Sequence, residues 1–286
     1  MTHTSPTARK RFGQNFLHDR AVIERIHRAI AVRPGEPVVE IGPGRGAITE
    51  GLLAAAGALD VVELDRDLIE PLRLRLAGRG SLRIHNADAL RFDLCTLAPV
   101  PASLRLVGNL PYNISTPLLF RFLDQAHCIR DMHLMLQREV VERIAAEPGG
   151  KTYGRLSVMV QTWCTAECLF RIGPGAFTPA PKVESAFLRL IPHRPLHFPL
   201  DDPALHGRIV AAAFSQRRKT LRNSLSALVG PDLLQGVGID PGLRAEAVDV
   251  GGFARIANAA AQVQDPIDRL EIRPAAQRYA LRRQGK

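Results

Sequence analysis

The sequence is poor in several things. Its 286 residues include only four cysteines, at 95, 128, 164 and 168, and none forms a Cys-x-x-Cys pair. That scarcity excludes a disulfide-dense scaffold. No ligand spacing typical of a metal site stands out, so no metal is expected and the cysteines read as buried free thiols. No apolar run approaches the ~20 residues that a spanning helix needs, so no membrane role is expected. Arg9, Lys10 and Arg11 sit near the start with no apolar stretch after them. A secretory signal is therefore not read, and the expected location is cytoplasmic. Acidic residues are also short: 28 Asp+Glu face 38 Lys+Arg, a net charge of +10. A polyanion such as nucleic acid is the simplest partner for that excess. No internal repeat is found.

What is present begins with an ordinary hydrophobic fraction, 46%, enough for a substantial core. Residues 1–20 read as an irregular basic arm, with Asp19 as N-cap of a helix through AVIERIHRAIAV. Strands then alternate with helices: PVVEIG, ALDVVELD, SLRIHNAD, SLRLVGN and MHLMLQ are the strands. Alternation of this kind predicts an α/β fold with a mostly parallel sheet covered on both faces. Ligands bind such sheets outside the carboxyl ends of the strands. The segments EIGPG, VELD, NAD and GNLPY all fall at those ends, so four separate loops are expected along one rim. The proline-rich stretch 172–195 reads as ordered loop around one strand, ESAFLRLI, and strands stop near Pro195. Helical periodicity in HGRIVAAAFSQRRKTLRNSLSALV and GGFARIANAAAQV predicts a small helical domain. The division expected is 1–195 and 196–286.

Between the first sheet strand and its helix runs Glu40-Ile-Gly42-Pro-Gly44-Arg-Gly46-Ala47. Glycines let a backbone turn sharply and approach a ligand, and the helix start offers free N–H groups. A dinucleotide pattern fits the same letters. Glu40 argues against it, because a carboxylate there repels a pyrophosphate but pairs with an amino group. S-adenosylmethionine (SAM) carries an α-amino group and no phosphate. Gly42 and Gly44 are therefore candidate cofactor residues. Glu63 at the next strand end can hold ribose hydroxyls in either cofactor, and Asp88 can accept from an adenine N–H.

The tetrapeptide Asn109-Leu110-Pro111-Tyr112 suits an aromatic amine. An exocyclic adenine amine is a poor nucleophile, because its lone pair is delocalised into the ring. Acceptors on its two N–H groups help localise that pair. Asn109 can supply a side-chain carbonyl and Leu110 a backbone carbonyl. Pro111 keeps Leu110 extended and contributes no N–H. Tyr112 offers a ring face, worth roughly 1–3 kcal/mol when a base stacks on it. Positioning and electrostatics then carry the catalysis without an obligatory general base.

With RKRFGQNFLHD, VVEIGPGRGAITE, VVELDRDL, NADAL, VGNLPYNIST, MLQREVVERI, YGRLSVMVQ and FTPAPKVESA, the chain closely resembles the ribosomal RNA adenine N6-dimethyltransferase family over nearly its whole length. The likeness is greatest to the family's bacterial small-subunit members. The resemblance implies a Rossmann-like class I SAM-dependent methyltransferase sheet with a small C-terminal helical domain. It implies dimethylation of two adjacent adenosines in a hairpin loop near the 3′ end of small-subunit rRNA, within a pre-assembled 30S particle. On that pattern Asn15, Leu17, Gly42, Glu63, Asp88 and Asn109 touch the cofactor. Asn109, Leu110, Pro111 and Tyr112 clamp the target amine, and Phe177 covers the other face of the base.

Arg217, Arg218, Lys219 and Arg222 crowd within six positions, too densely for one helical stripe. Phosphate contact and a solvated basic helix start account for them equally well. Three other activities remain open beside the first: a large-subunit rRNA dimethylase, a DNA adenine methyltransferase, and a non-catalytic RNA-binding assembly factor on the same fold.

Overall fold

The computed structural model describes residues 14–263. Arg9, Lys10 and Arg11, and the end of the chain from residue 264, lie outside the described residues. The chain divides into two compact units. One takes residues 14–145 and Trp163–His193; the other takes Ala146–Thr162 and residues 194–263.

The first unit is built on strands β1 (Phe16–Leu17), β2 (Val38–Ile41), β3 (Ala58–Glu63), β4 (Ser81–Asn86), β5 (Leu104–Asn109), β6 (Ile129–Gln137), β7 (Cys164–Ile172), β8 (Phe177–Thr178) and β9 (Ser185–Pro192). Its helices are α1 (Arg20–Ile30), α2 (Thr49–Ala56), α3 (Arg66–Leu76), α4 (Ser115–Asp124) and α5 (Arg138–Ile144). Seven strands form one sheet in the order β4-β3-β2-β5-β6-β9-β7. The pairs from β4 to β6 are parallel, while β9 runs antiparallel to both β6 and β7. This is the Rossmann-like α/β architecture that the resemblance implies.

Local chemistry explains the elements. Asp19 caps α1, its Oδ1 accepting from Val22 N at 3.1 Å. In β2, Val38, Val39, Glu40 and Ile41 are all buried, as a central parallel strand requires. The start of β5 carries a buried cation. Arg105 donates through Nε and Nη2 to Asp131, through Nη1 to Glu36 at 2.7 Å, and through Nη2 to the Ile30 carbonyl at 2.7 Å. It thus closes the C-terminus of α1 with a positive charge, where the helix dipole favours one. Burial works against the Glu36 carboxylate. The Arg33 N–H, Arg105 and Arg130 overcome it and hold the group at about 2.

Two expectations from the sequence are corrected here. Residues 16–17 are not irregular: β1 pairs antiparallel with β8, Phe16 opposite Thr178 and Leu17 opposite Phe177. Also, β7 extends the sheet where no strand was expected. It is an edge strand with five exposed or half-exposed residues in a row, Thr165 to Leu169, so alternation shows only in its last three residues.

The second unit packs α6 (Arg155–Gln161), α7 (Pro203–Ala213), α8 (Leu221–Ser224), α9 (Pro231–Gly236) and α10 (Val250–Val263) around Tyr153, Val158, Ile209, Leu221, Phe253 and Ile256. The stretch Ala146–Thr162 therefore belongs with this core and not to the sheet, contrary to a division at 195 alone. Its own apolar residues explain the switch, since Tyr153 and Val158 are fully buried among those helices. Within the periodic segment that starts at His206, α7 ends at Ala213 and α8 starts at Leu221. Among the described residues no helix is long and apolar enough to cross a membrane.

Candidate active site

The parallel register brings the predicted loops to one height. Ile41 lies opposite Val62 on one side and Gly108 on the other, and Glu63 lies opposite Asn86. Gly42 leaves β2 with φ +65° and donates its N–H to the Val62 carbonyl at 2.9 Å. Only glycine tolerates that conformation without strain. A Cβ at Gly42 would meet nothing within 4 Å, so the turn faces open space. Gly44, φ +57°, donates to Glu63 Oε2 at 3.2 Å. A Cβ at Gly44 would stand 3.2 Å from the ring of Phe16, so β1 closes over this part of the turn.

Three carboxylates line this rim. Glu63 accepts from Asp65 N at 2.8 Å as well as from Gly44. Burial pushes its carboxyl up, against those backbone N–H groups, and the charge of Asp65 adds to the rise. Asp88 Oδ1 accepts from Leu90 N at 3.0 Å, which fixes the turn after β4. Glu40 is 2% exposed, and among the described residues its Oε2 has no hydrogen-bond partner. Burial raises it to about 8; the Thr49 hydroxyl, outside hydrogen-bond geometry, opposes this and the Glu63 charge reinforces it. An orphaned acid beside a glycine turn open to solvent fits a cationic amino group, and fits a pyrophosphate badly.

The Glu40 carboxyl has a testable consequence. Its folded pKa of about 8 stands above the ordinary 4.5. The ligand-free fold therefore holds a proton that the unfolded chain releases. The associated stability is complete below pH 4.5 and is lost as pH rises through 8. Unfolding free energy should fall by up to about 1.4 kcal/mol per pH unit across that window. Glu40→Gln should flatten the slope, as measured by urea unfolding at stepped pH.

On the same rim, the Asn109–Tyr112 turn follows β5. Asn109 donates Nδ2 to the Asn15 carbonyl at 3.1 Å, which turns Oδ1 the other way. Leu110 is buried and donates its N–H to the Met135 carbonyl at 3.2 Å. Among the described residues neither Asn109 Oδ1 nor the Leu110 carbonyl is bonded to a donor. Tyr112 is half-buried, with its hydroxyl 2.6 Å from Ser185 Oγ at the start of β9. Burial raises the Tyr112 phenol and the Ser185 bond opposes that rise. Ser115 Oγ donates to the Tyr112 carbonyl at 3.1 Å and ties the turn to α4.

The profile of the family described as "Ribosomal RNA adenine dimethylase" matches residues 6–262. The chain belongs to this family. Among its relatives, "Ribosomal RNA small subunit methyltransferase A" of Pseudomonas fluorescens is 56% identical over 259 residues, covering 91% of this chain and 96% of that one. The Pseudomonas aeruginosa protein of the same name is 54% identical over 256 residues, covering 90% and 96%. Of solved structures, a dimethyladenosine transferase from Plasmodium falciparum superposes with TM-score 0.74 at 24% identity, over 84% of this chain and 95% of that one. The 23S rRNA methyltransferase ErmE gives TM-score 0.68 at 27% identity, over 87% and 100%. The protein is thus a class I methyltransferase and an rRNA adenine dimethylase.

Within the dimethylase, the rim gathers Gly42, Gly44, Glu63, Asp88 and the Asn109–Tyr112 turn, with Asn15 tied in by its carbonyl. Leu17 is 7% exposed, with its side chain in the core. Phe177, expected to cover the base, is 3% exposed and belongs to the core cluster that holds Leu17, Ala176 and Phe187. The β1–β8 pairing is what draws it inward. Arg217, Arg218, Lys219 and Arg222 are exposed in the second unit, the first three on the turn between α7 and α8. Arg217 also donates to the Lys151 carbonyl.

The sequence alone did not point to Ser185, the anchor of Tyr112, or to the pair Gln14–Asp65, joined at 3.1 Å. Nor did it point to a disulfide. Cys95 and Cys128 are bonded, with Cα atoms 5.4 Å apart, while Cys168 is an exposed free thiol. The expectation of four buried thiols is thus corrected, because turns 33 residues apart in sequence meet in the fold.

Proposed function

We propose that the dimethylase transfers methyl groups from SAM to the N6 amines of two adjacent adenosines near the 3′ end of small-subunit rRNA, in the cytoplasm and on a pre-assembled 30S particle. The observation that carries this reading is the shared rim: the Gly42 turn, Glu63 and Asp88 stand at the same sheet edge as the Asn109–Tyr112 turn. When bound, SAM supplies an electrophilic methyl group on a positively charged sulfonium. Glu40 and the Gly42 turn hold the cofactor's amino-acid end, Glu63 its ribose and Asp88 its adenine.

Asn109 Oδ1 and the Leu110 carbonyl accept the two N–H bonds of the target amine. As the N–C bond forms those protons become more acidic, so both hydrogen bonds strengthen in the transition state. Tyr112 holds the base by its ring and is itself held by Ser185. The names of the most similar bacterial relatives support the small subunit as substrate. The likeness to ErmE keeps the large subunit as the competing substrate.

Incubation with SAM and ribosomal subunits lacking both marks, followed by primer extension on each rRNA, separates the two. Stops at adjacent adenosines near the small-subunit 3′ end are expected. Marks confined to the large-subunit RNA would overturn the assignment.

The exposed Arg217, Arg218 and Lys219 are proposed to meet RNA phosphates. Replacing all three with Gln should weaken binding and reduce the slope of log K against log [salt] by about one for each phosphate no longer neutralised. Fluorescence anisotropy with labelled rRNA across a salt series reads this directly. An unchanged slope would take the cluster out of the interface.

A further inference from the structure

Away from the rim, two short turns meet. Leu94–Leu97 follows the Asp88 loop, and Ala126–Cys128 follows α4. Their contact does not depend on the disulfide. Buried Gln125 accepts from Leu94 N at 2.7 Å through Oε1 and donates to the Phe92 carbonyl at 3.4 Å through Nε2. Arg121 adds a bond to the same Phe92 carbonyl, and Asp93 Oδ1 accepts from Cys95 N at 3.0 Å. Side-chain hydrogen bonds from Arg121 and Gln125 therefore join the two turns in addition to the disulfide.

His127 completes the group. Its Nε2 lies 3.3 Å from Cys95 Sγ, and the ligand atoms of Cys95, His127 and Cys128 all fall within 4.8 Å of one another. We propose that, once the disulfide is reduced, these three side chains bind a thiophilic divalent cation of the zinc type. Two sulfurs and one imidazole are the donor set for such an ion and are wrong for Mg²⁺ or Ca²⁺, which take oxygen. A tetrahedral ion with bonds of about 2.3 Å to sulfur and about 2.0 Å to nitrogen separates its S and N ligands by roughly 3.5 Å. The Cys95–His127 pair already approximates that edge. His127 is exposed, which leaves an entry path and a fourth position for water.

The chemistry balances with a dithiol as reductant. Its two electrons cleave the Cys95–Cys128 bond, its own sulfurs join in a disulfide, and its two protons pass to the cysteines. The cation then displaces those two thiol protons to solvent. Disulfide and metal are alternative cross-links between the same turns. Either one ties the chain below Asp88 to the end of α4, the helix that starts beyond Tyr112. The bond from Phe92 N to the Asp88 carbonyl, 3.0 Å, carries that tie up to the Asp88 loop.

The full chain, reduced with a phosphine and desalted without oxygen, is titrated with Co²⁺ and then Zn²⁺. One Co²⁺ per chain is expected, with a thiolate charge-transfer band and visible bands of tetrahedral intensity, and Zn²⁺ should abolish both. Oxidised protein should show neither. Cys95→Ser and Cys128→Ser should each lose the band, His127→Ala should shift it, and Cys168→Ser should leave it unchanged. Circular dichroism confirms that each variant is folded. Equal Co²⁺ binding by the reduced chain and by a folded Cys95→Ser/Cys128→Ser double variant would overturn the proposal, as would loss of the band in Cys168→Ser.

Discussion

Asn109→Ala should cut methyl transfer by about 10²–10³-fold in kcat, the scale seen when one preorganised hydrogen-bonding group is removed from a reacting centre. Cofactor affinity should move far less. The argument rests on what each end of the amide does. Nδ2 is committed to the Asn15 carbonyl at 3.1 Å, so Oδ1 is held in place before substrate arrives. An acceptor that needs no reorganisation acts on the step where charge develops. Alanine removes both the acceptor and the bond to Asn15. Asn109→Asp separates the two, since it keeps an oxygen on the substrate side and loses the N–H. Activity between wild type and the alanine variant would assign the effect to the acceptor. Activity at the alanine level would assign it to the link with Asn15. Single-turnover methylation with saturating cofactor, beside calorimetric cofactor binding, measures both quantities. Wild-type turnover in the alanine variant would remove Asn109 from the transfer step.

Arg105→Ala should destabilise the first unit by about 3–5 kcal/mol, the range for removing one partner of a buried ion pair. The guanidinium is 6% exposed and serves Asp131, Glu36 and the Ile30 carbonyl at once. Without it, Asp131 is left in low-dielectric surroundings with no counter-charge from Arg105, and α1 loses its C-terminal cation. Asp131→Leu added to Arg105→Met should recover part of the loss, because the uncompensated charge goes with its partner. The single tryptophan, Trp163, lies in the first unit, so its fluorescence during urea unfolding follows the right region. A loss below about 1 kcal/mol would show that the network contributes little. Arg105 sits near the amino end of β5 and Asn109 at its carboxyl end, so the rim should keep its geometry in the folded fraction.

Much of the first unit was legible because its information is local. The central parallel strands β2 and β5 are nearly continuously buried, Asp19 caps at the position its side chain favours, and Gly42 and Asn109 stand at the ends of those strands. What escaped depends on partners distant in the chain. Phe16 and Leu17 form a strand only because Thr178 and Phe177 lie alongside, and the Phe177 ring sits in the core cluster. Edge strand β7 carries little alternation, since much of it faces solvent. Cys95, His127 and Cys128 share no spacing motif, because two turns on different sides of β5 and α4 supply them.

The helical unit takes its material from both sides of β7 and β9: Ala146–Thr162 comes before those strands and residues from 194 come after. A single cut in the gene cannot release either half intact. Stopping translation at His193 would finish the sheet but leave Tyr153 and Val158 without the helices that cover them. During synthesis the same interleaving sets an order, in which α6 waits on the ribosome for α7 and α10 while the sheet completes itself in between.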